Sequence, residues 1–325
     1  AQEVLVAALR AEGVDALVID SRKVLVTDDA FGSARADMAL TRQRAAELVL
    51  PELHAGRTPV LGGYMGATVE GVPTTLGRGG SDLSASLFGL ALDASTIEIW
   101  TDVDGLMTAD PRQVREARLV EEVTFREAAQ FAAYGAKVLH PASIDPAVQG
   151  GVPVVVRNSM RPERPGTRIG PSGGGAREPR AIVSKSGLCL LTLRAPGRLR
   201  ETGFLPEVIA GLENAGAPPF QLATGPVGIE AIVAEGREEK AAAEWLAGLG
   251  TVRVEHDLGM VCVVGEALQS DPAQWSRVLS IAAPHACLRV FMGPQGATLG
   301  LLVHSKELGP LVQELHEHLI VRSTA

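Results

Sequence analysis

The stretch Thr74-Thr75-Leu76-Gly77-Arg78-Gly79-Gly80-Ser81-Asp82 decides the fold of the first half of the chain. Its glycines permit a tight turn in which backbone N–H groups can approach a ligand closely. An apolar helical pattern follows from Ser81, so the turn opens a helix whose N-terminus favours anions. Arg78 adds a planar fork for a carboxylate or a phosphate. These residues predict a ligand-binding loop, although a turn that serves only packing gives a similar pattern.

Helical and strand patterns alternate on both sides of this turn. The predicted helices end at about residue 12, cover about 37–54, 81–93 and 136–149, and begin again at Thr124, which has capping-box spacing to Glu127. The predicted strands cover residues 14–20, 59–62, 96–100 and 152–156. Such alternation predicts an α/β fold, a parallel-rich sheet sandwiched by helices.

Residues 159–180 contain four prolines and five glycines without a helical or strand period, which is typical of a linker. We therefore predict a first domain over 1–170, a linker over 171–180 and a second region over 181–325. The second region has the pattern of two ferredoxin-like βαββαβ units. Strand counting predicts that residues 187–258 form one unit, inserted into a second unit made of 181–186 plus 259–325.

Composition restricts the class of protein. The 325 residues include 46% apolar and 21% charged side chains, which excludes disorder over most of the chain. The longest apolar runs are strand-sized, and a net charge of −8 without a basic block is atypical of a nucleic-acid binder. The three cysteines are far apart in apolar settings, which predicts reduced thiols in a cytoplasmic protein.

Two further segments carry candidate chemistry. Residues 100–112 place three aspartates after a predicted strand, where open α/β sheets bind ligands, but they do not fit the calcium-loop pattern, and we predict no metal site. A structural Asp-rich turn is the alternative. Residues 135–141 place Lys137 at a predicted helix start, where a cation is unfavourable unless it contacts an anion. His140, before a proline, has the setting of a packing or capping residue.

Taken together, these motifs resemble aspartate kinase. The motifs are Thr-Leu-Gly-Arg-Gly-Gly-Ser-Asp at 75–82, Trp-Thr-Asp-Val-Asp-Gly at 100–105, Asp-Pro-Arg at 110–112 and Gly-Ala-Lys-Val-Leu-His-Pro at 135–141. The resemblance extends through the whole chain, and the βαββαβ pair is similar to the ACT domains of that family. It is closest to the lysine-inhibited, monofunctional type.

The resemblance implies an amino acid kinase fold followed by tandem ACT domains. It also implies ATP-dependent phosphorylation of the L-aspartate β-carboxylate to β-aspartyl phosphate, the first step towards lysine, threonine and methionine. Mg²⁺ would bridge the phosphates. Arg78, Asp82 and Lys137 would be catalytic, with Arg78, Ser81 and Asp82 binding aspartate. The implied nucleotide-binding residues are Gly63, Gly66, Thr101, Asp102, Met107, Arg112 and Lys137.

The chain also departs from the family pattern. The Lys-Phe-Gly-Gly strand-loop and the later Gly-Glu pair of aspartate kinases are absent from these residues, and the chain begins inside a helical pattern. We therefore expect that the N-terminal portion of the kinase domain is missing and that this chain alone turns over little. The alternatives are a non-catalytic regulatory subunit that binds an amino acid through its ACT units, and another amino acid kinase that acts on glutamate or a nucleotide.

The regulatory region carries a weaker prediction. The resemblance places an effector pocket at Arg198, Glu201, Phe220, Gly225, Pro226 and Val227. No carboxylate stands at the last four of these positions to pair with an ammonium group, which predicts weak or absent inhibition by lysine. ACT units pair between chains, so we expect a homodimer or a higher oligomer, with residues 261–264 as an apolar edge strand.

Overall fold

The computed structural model describes residues 1–134, 141–173, 178–198, 201–293 and 296–322. These residues form two compact units. The first, which we call the kinase unit, comprises residues 1–106 and 119–132 together with the described part of 137–175. The second, which we call the regulatory unit, comprises residues 107–118 and the described parts of 133–136 and 176–325. The chain thus enters the regulatory unit twice before its C-terminal half begins.

The kinase unit alternates helices with short strands, which confirms the predicted α/β class. Its helices are α1 (Gln2–Ala11), α2 (Met38–Leu48), α3 (Leu50–His54), α4 (Gly80–Ala91), α5 (Phe125–Tyr134, whose last residues lie in the regulatory unit) and α6 (Pro141–Gly150). Its strands are β1 (Ala16–Ile19), β2 (Thr58–Leu61), β3 (Met65–Ala67), β4 (Pro73–Thr75), β5 (Ile97–Thr101), β6 (Glu122–Thr124), β7 (Val154–Asn158) and β8 (Thr167–Gly170).

Parallel pairing dominates the sheets of this unit. Strand β1 runs parallel to β2, and a four-stranded sheet has the order β5-β7-β8-β6. Within it β5 and β7 are parallel, β6 and β8 are parallel, and β7 and β8 are antiparallel. The prediction that residues 159–180 lack regular structure is wrong for β8. Ile169 of this strand is fully buried. The strand was not predicted because it is only four residues long and is surrounded by prolines and glycines.

Side-chain caps fix several helix starts. The Glu127 amide donates to Thr124 Oγ1 at 3.1 Å, and the Thr124 amide donates to Glu127 Oε2 at 2.9 Å. This is the predicted capping box. The helix predicted over residues 37–54 begins where Asp37 Oδ1 accepts from the Leu40 amide at 3.0 Å, but it is divided at Val49 into α2 and α3.

The regulatory unit contains a six-stranded antiparallel sheet covered by helices. Its strands are β9 (Ala181–Arg194), β10 (Gln221–Gly225), β11 (Gly228–Ala234), β12 (Thr251–Val264), β13 (Arg289–Met292) and β14 (Thr298–His304). Its helices are α7 (Phe204–Asn214), α8 (Arg237–Ala247), α9 (Ala267–Ser270), α10 (Pro272–Ala282) and α11 (Ser305–His316). Among the described residues of the whole chain, no helix is both long enough and apolar enough to span a membrane.

Two long central strands connect the two halves of this sheet, whose order is β10-β11-β9-β12-β14-β13. The sequence predicts two short strands in place of each, but β9 and β12 both continue for 14 residues. Residues 181–185 pair with 260–264, the pairing that the proposed insertion of one unit into the other requires. The prediction that 261–264 is an edge strand is wrong, because β12 lies between β9 and β14.

Each half of the sheet has its own apolar core. One core gathers Phe204, Val208 and Leu212 of α7 against β9 and β11. The other gathers Leu311, Val312 and Leu315 of α11 against β12 and β14. His285, 10% exposed at its side chain, joins the end of α10 to α11, because its ring nitrogens lie 2.9 Å from Glu307 Oε2 and 2.9 Å from Glu314 Oε2.

Candidate active site

The loop after β2 packs over the first turn of α4. A Cβ atom on Gly63 would lie 3.1 Å from the Cα atom of Ser81, so the loop backbone passes as close as a glycine allows. The Tyr64 amide donates to Ser84 Oγ at 2.8 Å, and that hydroxyl donates to the Gly80 carbonyl at 2.7 Å. The N-cap residue, Gly79, is left-handed at φ 67° and offers no side chain to the helix. The Gly80 amide donates to the Gly77 carbonyl at 3.1 Å, and the next amides of the first turn have no intrahelical acceptor.

Three predicted substrate residues surround this helix start. Arg78 and Ser81 are exposed and Asp82 is half-buried. No ion pair within the described part of the chain engages Arg78. Burial raises the pKa of Asp82, and no cationic side chain among the described residues offsets that burial. The first turn of α4 thus presents a free guanidinium, a hydroxyl and a carboxylate that would gain from a positively charged partner.

The carboxyl end of β5 holds the first predicted nucleotide residues. The Thr101 carbonyl accepts from the Ser159 hydroxyl at 3.0 Å and from the Ser159 amide at 2.8 Å. Thr101 Oγ1 donates to Asp102 Oδ1 at 3.2 Å, and Asp102 itself is exposed. The backbone of Thr101 is therefore fixed, while its side chain and the Asp102 carboxylate remain at the surface.

Asp104 belongs to the scaffold of this segment. Its carboxylate, 11% exposed, lies 3.0 Å from an Arg161 nitrogen and 2.8 Å from an Arg164 nitrogen, and it accepts from Asn158 Nδ2 at 2.7 Å. Three partners leave it little capacity for a metal ion. Among the described residues, no group of three His, Cys, Asp or Glu side chains is arranged to hold a metal ion.

The other predicted nucleotide residues are distributed differently. Met107 and Arg112 lie in the regulatory unit. The Arg112 guanidinium, 82% exposed, pairs with Asp110, with 2.6 Å between Nη2 and Oδ2. Gly66 is buried in β3, where a Cβ atom would lie 2.7 Å from the Leu25 carbonyl oxygen, so close packing explains this glycine. Lys137 and His140 lie outside the described residues.

The six residues of the predicted effector pocket do not form one cluster. Arg198 Nε donates to Glu201 Oε2 at 3.2 Å, and its guanidinium covers the Phe204 ring. The backbone joins this group to the tight β10–β11 turn, since the Ala195 amide donates to the Val227 carbonyl. That turn contains Gly225, Pro226 and Val227.

Phe220 lies at the opposite end of β10, where its ring carries the Lys185 ammonium 4.3 Å from the centroid. The five intervening positions of a strand span about 16 Å. The six residues thus lie at two places along β10, and one effector pocket that contains all of them stays a prediction. Residues that are close together in the sequence lie far apart when they stand at the two ends of one extended strand.

One polar contact of the regulatory unit was missed by the sequence analysis. Thr108, 8% exposed, has its Oγ1 atom 2.8 Å from Nε2 of His316, which is 1% exposed. His316 also lines a cavity of about 580 Å³ together with residues of 112–116 and the end of α11. The partners are 208 positions apart, and neither belongs to a recognisable motif.

The three cysteines have the predicted thiol form. All are free; Cys189 and Cys262 are buried and Cys287 is partly buried. Burial raises the pKa of Cys189 to about 12 and also raises that of Cys262 and Cys287. Thiolates are thus disfavoured, and none of the three is set up as a nucleophile.

Comparison with known proteins identifies the family of the chain. Residues 1–158 match the family model described as the amino acid kinase family. The chain is 35% identical over 320 residues to lysine-sensitive aspartokinase 3 of Escherichia coli strain K12, a match that covers 96% of this chain and 71% of that protein.

Two solved structures of aspartokinase III from E. coli, each 34% identical, cover 98% of this chain and are themselves covered to 73%. The complex with lysine and aspartate, in the T-state, has a TM-score of 0.85. The complex with aspartate and ADP, in the R-state, has a TM-score of 0.80.

The fold and the α4 loop define an amino acid kinase. The match to lysine-sensitive aspartokinase 3 covers most of both chains at 35% identity, and it shows that the chain belongs to the aspartokinase family. The function of that family is ATP-dependent phosphorylation of aspartate in amino acid biosynthesis, as the sequence motifs predict.

Proposed function

We propose that this protein transfers the γ-phosphoryl group of ATP to the β-carboxylate of L-aspartate. The observation that carries the proposal is the start of α4, where the exposed Arg78 precedes the N-cap without an ion-pair partner among the described residues, and the exposed Ser81 and half-buried Asp82 follow in the first turn. The positive charge of Arg78 and the negative charge of Asp82 suit an acceptor molecule that carries both a carboxylate group and an ammonium group.

Arg78 binds a carboxylate of aspartate in this proposal. A guanidinium forms two parallel hydrogen bonds to a carboxylate, which fixes the orientation of the acceptor as well as its charge. Asp82 receives the α-ammonium group, which removes the cost of holding a half-buried carboxylate without a cation. Ser81 and the first-turn amides donate hydrogen bonds to the remaining acceptor oxygens.

The nucleotide lies at the carboxyl end of β5. Thr101 and Asp102 offer a hydroxyl and a carboxylate at a surface whose backbone is held by Ser159. The resemblance also implies nucleotide contacts from Met107 and Arg112, which belong to the regulatory unit, and from Lys137, which lies outside the described residues. The E. coli relative that holds aspartate and ADP supports both ligand classes.

Mg²⁺ fits this chain only as an ion bound largely through the nucleotide. The described residues contain no group of three metal-ligating side chains, and Mg²⁺ commonly keeps waters and takes one or two carboxylates plus phosphates. Asp102 is the carboxylate that would serve, because Asp82 is assigned to the ammonium group of aspartate. When bound, the ion neutralises charge on the phosphate oxygens.

The reaction requires positioning more than covalent chemistry from the protein. A β-carboxylate oxygen forms a bond to the γ-phosphorus while the bond from that phosphorus to the ADP oxygen breaks. No proton has to be removed from the acceptor, because a carboxylate is already ionised at neutral pH. Arg78 therefore orients the acceptor, and cationic groups stabilise the developing charge.

A regulatory role for the β9–β14 sheet follows from its ACT-like units. The E. coli relatives are lysine-sensitive or hold lysine, but the β10–β11 turn of this chain offers no carboxylate to an ammonium. We propose a feedback response to lysine that is weak at this turn. Self-association would use the edge strand β13, where Val290 is 47% exposed. Three free thiols support a cytoplasmic location.

The test is aspartate-dependent ADP formation, with trapping of the acyl phosphate by hydroxylamine. Replacing Arg78 by Lys removes the bidentate bond but keeps the charge, and we expect kcat/KM for aspartate to fall about 10- to 100-fold. Arg42→Lys is the matched control, because Arg42 is an exposed arginine of the same unit that pairs with Asp93. Equal effects of the two substitutions would contradict the proposal.

The assay also tests what the absence of a Lys-Phe-Gly-Gly sequence means for turnover. The 325 residues contain no Lys-Phe-Gly-Gly sequence, and we propose that they support little turnover by themselves. We expect the 325-residue chain to give less than about 1% of the kcat of the protein as its own gene encodes it, since a missing transition-state contact costs about 10²-fold or more. Comparable rates would overturn this part of the proposal.

A further inference from the structure

We propose that His316, acting through Thr108, is a positioning residue that holds the nucleotide-binding segment 107–112 in place and so sets the KM for ATP. The inference rests on the proposed function, because it takes Met107 and Arg112 as nucleotide contacts. His316 lies at the end of α11, in the ACT-like half of the regulatory unit that contains β14. It would not touch the substrate.

Thr108 is the point at which this segment is fixed. Its side-chain oxygen lies 2.8 Å from His316 Nε2 and also accepts from the Arg118 amide at 2.9 Å. Its carbonyl accepts from the Ile182 amide at 2.8 Å, and its own amide donates to the Arg118 carbonyl at 2.8 Å. Four hydrogen bonds therefore converge on one residue that follows Met107 directly.

A second set of contacts holds the other end of the segment. Gln313 of α11 donates to the Gln113 carbonyl at 3.1 Å, and Ser184 of β9 donates to Gln113 Oε1 at 3.1 Å. Ala109 and Val114, 3% and 4% exposed, belong to the apolar core formed by α11 and β14. Residues 108–114 are thus packed as a part of the regulatory unit.

His316 has few alternatives to this contact. It is fully enclosed, and burial lowers its pKa, with Arg118 acting in the same direction and Glu116 against it. A neutral ring can share one hydrogen with the Thr108 hydroxyl without a buried charge. If the contact were lost, the buried His316 ring would lose its hydrogen bond to Thr108, and the Thr108 hydroxyl would keep only the bond from the Arg118 amide.

The position of the contact predicts which substrate will be affected. The proposed aspartate residues Arg78, Ser81 and Asp82 belong to the kinase unit, whereas Thr108 and His316 bond to each other within the regulatory unit. Disturbing Thr108 or His316 should therefore weaken nucleotide binding and leave aspartate binding unchanged. A general loss of stability would affect both.

The experiment uses the protein as its own gene encodes it and compares Thr108→Val, Thr108→Ser and His316→Ala. Valine keeps the shape of threonine without its hydroxyl, whereas serine retains the hydroxyl. We expect Thr108→Val and His316→Ala to raise the KM for MgATP about 5- to 10-fold, the value of one buried hydrogen bond. The KM for aspartate and kcat should change less than about 2-fold, and Thr108→Ser should restore the KM for MgATP.

His285→Gln is the control, since it removes a buried histidine that also contacts α11 but has no bond to residues 107–118. An equal rise of the KM for MgATP in His285→Gln, or an unchanged KM in Thr108→Val, would overturn the positioning role. Titration with MgADP tests the positioning role of His316 independently of the proposed phosphoryl transfer to aspartate. If the unsubstituted protein forms no ADP with aspartate, the proposed function fails, and the MgADP dissociation constants of the variants alone decide whether His316 positions the segment.

Discussion

The His285 contact predicts that the stability of the regulatory unit depends on pH. The imidazole lies between Glu307 and Glu314, each 2.9 Å away, and the hydrogen bonds to these carboxylates raise the pKa of His285 against the opposing effect of burial. Only the protonated ring can donate from both nitrogens. Above the pKa of the folded state, one of the two bonds must therefore be lost.

The direction and size of the effect follow from these contacts. Between the unfolded pKa near 6.5 and the raised folded pKa, the native state binds more protons than the unfolded state, so stability falls as the pH rises through this window. Below the unfolded pKa the stabilisation is fully present. A hydrogen bond between charged groups contributes about 1.5–3 kcal/mol, and the partial exposure of both glutamates reduces this to about 1–2 kcal/mol.

The assay is urea unfolding at pH 5.5 and pH 8.5 for the unsubstituted protein and for His285→Gln. We expect the unsubstituted protein to lose about 1–2 kcal/mol more than the variant between the two pH values. His256→Gln is the control, because His256 forms a similar bond to Glu235 at 3.1 Å but is 49% exposed. If His285→Gln shows the same pH dependence as the unsubstituted protein, the reasoning about His285 is refuted.

Two further outcomes test the fold and the regulatory site. Gly166 has φ 75°, and a Cβ atom there would lie 2.1 Å from the Val156 carbonyl, whereas Gly151, at φ 64°, has open space around it. In thermal unfolding, Gly166→Ala should cost at least about 2 kcal/mol more than Gly151→Ala, and equal costs would show that the close approach does not matter. Millimolar lysine should inhibit ADP formation by less than about 2-fold, since the turn at Gly225 offers no carboxylate to its ammonium groups. Strong inhibition that substitutions around Val227 abolish would contradict this prediction.

The sequence was sufficient for features that depend on neighbouring residues. The glycine-rich turn, the start of α4 and the capping box of Thr124 and Glu127 each involve residues only a few positions apart, and all three occur as predicted. Family motifs then identified the fold, because their residue types and order are specific.

Features that depend on distant residues could not be predicted in this way. Strand β8 is short and surrounded by prolines and glycines, and only its position between β7 and β6 makes it a strand. The place of residues 261–264 in the sheet depends on β14, which follows much later in the chain. The bond between Thr108 and His316 joins residues with no local signal, and the effector residues were grouped by alignment although β10 holds them apart.

The two long strands of the regulatory sheet, β9 and β12, restrict how one half of the sheet can move relative to the other. The pairing of β9 with β12 is held at both ends, by Arg194 with Thr251 and by Ala181 with Val264. Sliding one strand by a single residue would turn the core side chains of both halves to the opposite face at once. The regular pairing of the two strands is interrupted near the left-handed residues Gly187 and Asp257, where the register shifts, so bending or twisting between the two halves would be accommodated there and not by sliding. The sheet can therefore twist at the register shift, but its two central strands cannot slide past each other.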